Sequence, residues 1–273
     1  MITDSQIEAW LREDIGHHDV TNQVPGETSG RLVAKEGGIV AGLDAARAVF
    51  GYLGVDSTTS VEDGERVEPG EQILAVDGGA RDILRGERVV VNLVAHAAGI
   101  ATKTRRAVDR AEGAVGTGTA PAIAATRKTT PGLRGIEKRA VVAGGGDTHR
   151  LDLSHMVMVK DNQIAELGLE EAIERFDDRT SFATQLDVEV ERVEDAPRAA
   201  AAGADVVLLD NMTPTETSEA VDLLVEYDAL AEASGGIGVE EVPAYAETGV
   251  DIISMGALTH SAPALDLSFR TGV

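Results

Sequence analysis

The chain has 273 residues, 43% hydrophobic and 3% aromatic, with no cysteine and a net charge of −23. That length suits one large domain or two unequal ones, with a core of Ala, Val, Leu and Ile. The charge disfavours nucleic acid and anionic membranes as partners, and no apolar run reaches the roughly 18–20 residues of a membrane span. The absence of cysteine excludes disulfides, thiolate metal sites and cysteine nucleophiles.

Residues 1–13 have a helical rhythm, with Ile2, Ile7, Trp10 and Leu11 apolar and Thr3 or Asp4 available as N-cap. They contain no basic stretch leading into an apolar one, so no secretory signal is read and a cytoplasmic protein is expected. Strands are predicted at 31–34, 38–41 and 72–76, set apart by Gly37-Gly38, Glu68-Pro69-Gly70 and Gly78-Gly79. A helix is predicted over 44–53 and a long one over 86–110. Short apolar runs then recur at 122–125, 156–159, 186–190, 206–209, 230–233 and 252–255. From Leu186 onward the spacing leaves room for one helix between runs, the alternation of a parallel sheet with crossover helices. Gly203-Ala204-Asp205-Val206-Val207 is echoed by Gly249-Val250-Asp251-Ile252-Ile253, in each case a helix-ending Gly before a buried strand. The expected fold class is α/β: an N-terminal α/β portion followed by an incomplete parallel α/β barrel. A doubly wound open sheet is the alternative, weakened because no glycine-rich dinucleotide fingerprint follows an early strand.

In a β/α barrel, chemistry collects where the strands end. Arg127 and Lys128 follow the first apolar run, and Lys160, Asp161 and Asn162 follow the second. Glu189 and Glu191, then Asp210 and Asn211, close the next two. The last two runs end in glycine loops, Ser234-Gly235-Gly236 and Gly256, whose backbone N–H groups suit a phosphate. Between Arg127 and Lys160 there are seven cations against three acids, a cationic patch fit for a small anionic substrate. Within it, Glu137 and Lys138 read as an ion pair on a helix surface. His17, His18 and His155 match no familiar ligand spacing with His149 and are read as surface or packing residues. His260 reads as ordering the C-terminal turn.

Several blocks in order resemble the quinolinate phosphoribosyltransferase family. They include Glu13-Asp14-Ile15-Gly16, Glu87-Arg88, Thr126-Arg127-Lys128-Thr129-Thr130-Pro131-Gly132 and His149-Arg150. Val159-Lys160-Asp161-Asn162, Glu189-Val190-Glu191, Leu209-Asp210-Asn211-Met212, Glu232-Ala233-Ser234-Gly235-Gly236-Ile237 and Gly256-Ala257-Leu258-Thr259-His260 continue the match.

The resemblance implies an N-terminal α/β sandwich domain over 1–104, joined by 264–273, and a barrel domain over 105–263. It implies transfer of phosphoribosyl from phosphoribosyl pyrophosphate to quinolinate, with decarboxylation to nicotinate mononucleotide. By resemblance, Arg127, His149, Arg150 and Lys160 line the quinolinate pocket, joined by Arg88 from a partner subunit. The assembly would be a homodimer or a hexamer of dimers with shared sites. Lys128 would meet the phosphates of the donor. Glu189 and Asp210 would hold the ribose hydroxyls and Mg²⁺, and Ser234, Gly235, Gly236 and Gly256 the 5′-phosphate. Two positions depart from the family pattern: Gln163 replaces the usual His, and Thr148 a commoner Asn. The segment 114–122 is also somewhat long. A nicotinate-specific enzyme would have one fewer carboxylate to bind, which this cation set does not favour. A non-catalytic phosphometabolite-binding protein would be expected to lose Lys128, Glu189 or Asp210. Five lysines against nineteen arginines, with abundant acids, suggest a high-salt cytoplasm such as that of a halophilic archaeon.

Overall fold

The computed structural model describes residues 2–272. In chain order the first elements are α1 (Asp4–Ile15), β1 (Glu27–Ala34), β2 (Gly38–Ile39), α2 (Leu43–Tyr52), β3 (Asp56–Thr59), β4 (Arg66–Val67), β5 (Gln72–Gly79) and α3 (Ala80–Val115). Next come β6 (Ala122–Ala124), α4 (Arg134–Ala143), β7 (Val157–Val159), α5 (Asp161–Leu167), α6 (Leu169–Asp177), β8 (Leu186–Val190) and α7 (Ala196–Ala201). The last are β9 (Val206–Asp210), α8 (Pro214–Leu224), β10 (Leu230–Ser234), α9 (Val242–Ala246), β11 (Ile252–Ser254), α10 (Ala257–His260) and β12 (Leu267–Thr271). The chain forms two compact units. One runs to Arg105 and includes Thr130–Gly145 and the residues from Ser261; the other is Arg106–Thr129 with Gly146–His260.

In the first unit, β1 is flanked by β5 and β12 in an antiparallel sheet ordered β12-β1-β5-β3. Leu32, Leu74, Ile73, Phe50 and Ile83 are fully buried there, and the Phe50 and Phe269 rings lie 6.0 Å apart. Thr3 is the N-cap of α1: its hydroxyl accepts from Gln6 N–H while the Gln6 side chain accepts from Thr3 N–H. α3 extends beyond the expected 86–110 at both ends, because the flanking residues are themselves good helix formers. The sequence reading has no β3, β4 or β12: β3 is polar and alternates only between exposed and half-buried, and β4 has two residues.

Glu137 and Lys138 are not a surface pair. Both are buried, because Ile136, Glu137, Lys138, Ala140 and Val141 of α4 all face inward. Glu137 accepts from His96 Nε2 at 2.8 Å and from Thr130 N–H at 3.1 Å. Burial pulls its pKa up, but the hydrogen bonds from His96 and Thr130 bring it below the ordinary carboxylate value.

The second unit is a six-stranded, all-parallel sheet in the order β6-β11-β10-β9-β8-β7. Among the described residues β6 and β7 do not pair, so the barrel is open; Asp147 makes an isolated parallel bridge to Ala124 at that edge. Strand residues one face apart alternate. Val188, Val190, Val207, Leu209, Ala233 and Ile253 join Ala172, Ile173, Ala199, Ala220 and Leu258 in the core cluster. The intervening positions, Met158, Glu189, Leu208, Asp210, Glu232, Ser234 and Ser254, line a cavity. Gly203 and Gly249, the two echoed glycines, take φ of 110° and 87° before β9 and β11, as a helix-ending αβ step needs.

Candidate active site

The cavity, about 470 Å³, lies at the C-terminal ends of the parallel strands. Thr126, Arg127, Lys128, His149, Arg150, Lys160, Glu189, Asp210, Glu232, Ser234 and Ser254 are among its lining. Seven residues expected from the sequence are thus brought together with Ser234. Strand ends place them: Lys160 follows β7, Glu189 sits late in β8, Asp210 ends β9 and Ser234 ends β10. Arg88 is not among the lining residues. It lies on α3, about 60% exposed, 3.9 Å from Glu87.

Local bonding fixes the loops. Lys128 N–H donates to Thr126 Oγ1 at 3.1 Å, and the Lys128 carbonyl accepts from the Thr259 hydroxyl at 2.7 Å. A Cβ at Gly256 would lie 2.9 Å from Lys128 Cδ and 3.2 Å from Thr126 Oγ1, so a side chain there would press on the lysine. Gly235 has φ of 106°, and a Cβ on it would come within 2.6 Å of Asn211 N. Only glycine fits that turn. Lys160 forms an ion pair with Glu189, and the Lys160 N–H donates to Gln163 Oε1. The Gln163 side chain is therefore tied to the start of α5. Asn211 Nδ2 donates to Asp210 Oδ2 at 2.5 Å.

The cations crowd one another. Burial and then the neighbouring Arg127 charge lower the Arg150 pKa, while Asp187 opposes them. Beneath them lies a buried His–acid cluster that the strand pattern alone does not reveal. His149 Nε2 lies 2.9 Å from Glu232 Oε2 and 3.9 Å from Asp187 Oδ2. Both acids are buried, and the two Asp187 oxygens and Glu232 Oε1 make no hydrogen bond. Such groups cost about 1–3 kcal/mol each when unsatisfied. Burial first, then the Glu232 charge, raises the Asp187 pKa. The available signal was an acid inside each of two apolar runs, Leu186–Val190 and Leu230–Ser234.

Two sets of donors could hold a metal. His149, Asp187 and Glu232 offer one ring nitrogen and two carboxylates, all within 4.8 Å of one another. Glu189 and Asp210 offer oxygens at the cavity wall, the donor type Mg²⁺ takes when substrate phosphates complete its shell.

Two family models match. That for the quinolinate phosphoribosyl transferase N-terminal domain covers residues 19–98, and that for the C-terminal domain covers residues 100–270. The chain is 44% identical to the probable carboxylating nicotinate-nucleotide pyrophosphorylase of Methanothermobacter thermautotrophicus, with 97% of each chain covered. It is 43% identical to the corresponding probable enzyme of Bacillus subtilis, over 94% of this chain and 89% of that one. Among solved structures, NadC from Streptococcus pyogenes superposes with a TM-score of 0.91 at 35% identity, covering 99% of this chain and 97% of that one.

Proposed function

The chain belongs to the quinolinate phosphoribosyl transferase family, and from that membership we propose which of its side chains carry the family's reaction. The enzyme transfers phosphoribosyl from phosphoribosyl pyrophosphate to quinolinate, releasing pyrophosphate and CO₂ and giving nicotinate mononucleotide for NAD biosynthesis. The observation that supports the residue assignment is the single cavity where Arg127, Lys128, His149, Arg150 and Lys160 face Glu189 and Asp210.

Quinolinate carries two carboxylates. Arg127, Arg150, Lys160 and His149 bind them, the guanidinium forks matching carboxylate oxygens two at a time. The pyridine nitrogen attacks C1′ of the donor, and the C1′–oxygen bond breaks with its electron pair leaving on pyrophosphate. Lys128 meets that diphosphate as a point charge. Glu189 and Asp210 face the ribose, where their charge stabilises oxocarbenium character at C1′. Glu189 and Asp210 would also hold Mg²⁺, and when bound it would supply positive charge against the departing pyrophosphate. Once alkylated, the ring nitrogen is cationic and accepts the electrons left at C2 when the C–CO₂ bond breaks; a proton then completes the ring. Ser234, Gly235, Gly236 and Gly256 receive the 5′-phosphate. No nucleophilic side chain is required, so positioning and charge provide the catalysis.

Further parts of the reading are a homodimer in which Arg88 completes the partner's pocket, a cytoplasmic location and adaptation to high salt. No helix among the described residues is long and apolar enough to cross a membrane. Lys128→Ala tests the residue assignment: kcat should fall by about 10²–10³-fold with the urea midpoint unchanged. Near-wild-type turnover would remove Lys128 from the chemistry.

A further inference from the structure

Inward-facing positions of a parallel β/α barrel are ordinarily filled by branched apolar side chains. Here two of them, Asp187 on β8 and Glu232 on β10, are fully buried acids. Three of their four oxygens make no hydrogen bond. Apolar residues of similar volume would generally serve stability as well or better, so packing does not account for them. Both acids converge on one ring. His149 Nε2 stands 2.9 Å from Glu232 Oε2 and 3.9 Å from Asp187 Oδ2, with its own side chain only 9% exposed.

The His149 backbone is constrained as well. Its φ is +48°, uncommon for a residue other than glycine, and its N–H donates to Asp147 Oδ1 at 2.5 Å. A strained backbone held by one carboxylate and a ring held by another restrict the position of this imidazole from both ends. Strain of this kind persists only where the surroundings over-determine it, and it clusters at functional sites.

We propose that Glu232, backed by Asp187, is the positioning residue of the acceptor pocket, holding the His149 ring in the orientation that receives a substrate carboxylate. The hydrogen bond at Nε2 sets the ring plane and with it the direction in which Nδ1 points. Acting through the His149 ring, Glu232 should show its effect in acceptor binding rather than in donor binding. The inference rests on quinolinate being the acceptor.

Steady-state kinetics with each substrate varied in turn test it. Glu232→Ala should raise the KM for quinolinate by about tenfold while the KM for phosphoribosyl pyrophosphate stays within about twofold. Glu232→Gln, which keeps an acceptor oxygen for Nε2–H, should recover most of that loss. The double variant Glu232→Ala/His149→Ala should bind quinolinate no worse than His149→Ala alone, because both changes remove one interaction. If the Ala variant does not fold, Glu232→Asp carries the same expectation, since it keeps the charge but retracts the oxygens. An unchanged quinolinate KM, an equal rise in both KM values, or additive effects in the double variant would overturn the proposal. Wild-type protein that turns over phosphoribosyl pyrophosphate with nicotinate but not with quinolinate would instead sink the acceptor assignment beneath it.

Discussion

At the scale of single residues, Asp19 shows a buried charge that hydrogen bonds hold in place. Asp19 is buried, accepts from the Thr21 and Asn22 N–H groups at 3.0 and 2.9 Å, and pairs with Arg85 Nε at 2.8 Å. The Asn22 N–H and then Arg85 hold its pKa well below the usual carboxylate range. A carboxyl whose pKa is lower folded than unfolded contributes fully above the unfolded value, about 4, and loses that contribution as pH falls through the folded one. Asp19→Asn should therefore destabilise the protein at neutral pH, and its deficit should shrink as the pH is taken from about 5 down toward 2. Urea unfolding across that range checks this, and a deficit independent of pH would contradict it. Strand-end residues such as Lys160, Glu189 and Asp210 were legible because a polar group after an apolar run marks where the chain leaves the barrel. Asp187 and Glu232 were not, because a lone acid inside such a run is absorbed into the strand that carries it.

At the scale of elements, period decided what could be read. The helices over 4–15 and 43–52 and all six parallel strands announce themselves by apolar rhythm or by runs of Val, Leu and Ile. β12 does not, because its five residues have meaning only opposite β1, where Leu32 pairs with Phe269. Neither does the depth of α4. Lys138 and Glu137 look like a solvated pair in sequence, whereas α4 turns both inward and docks through Glu137. A Cβ on Gly144, just past α4, would come within 2.4 Å of the Ala101 carbonyl, which measures how closely that helix end approaches α3. Glu137→Ala leaves His96 and the Thr130 N–H without their acceptor and should cost about 1–3 kcal/mol. Faster amide exchange confined largely to α4 should accompany the loss, and unchanged stability with unchanged exchange would show that Glu137 does not dock the helix.

At the scale of the whole molecule, a chain with a net charge of −23 gathers four cationic side chains and a histidine around one cavity. Such a cavity attracts small anions while the remaining surface repels large ones. Two carboxylates on quinolinate give the cations Arg127, Arg150 and Lys160 a use that a single carboxylate would leave incomplete. The same acidic surface motivates measuring activity at both low and molar KCl. The decisive measurement follows quinolinate labelled at its 2-carboxyl, with phosphoribosyl pyrophosphate and Mg²⁺, reading labelled CO₂ and pyrophosphate together, and nicotinate as the comparison acceptor. The account predicts equimolar CO₂ and pyrophosphate from quinolinate and no pyrophosphate from nicotinate; pyrophosphate from nicotinate alone, or from neither acceptor at any salt concentration, would contradict it.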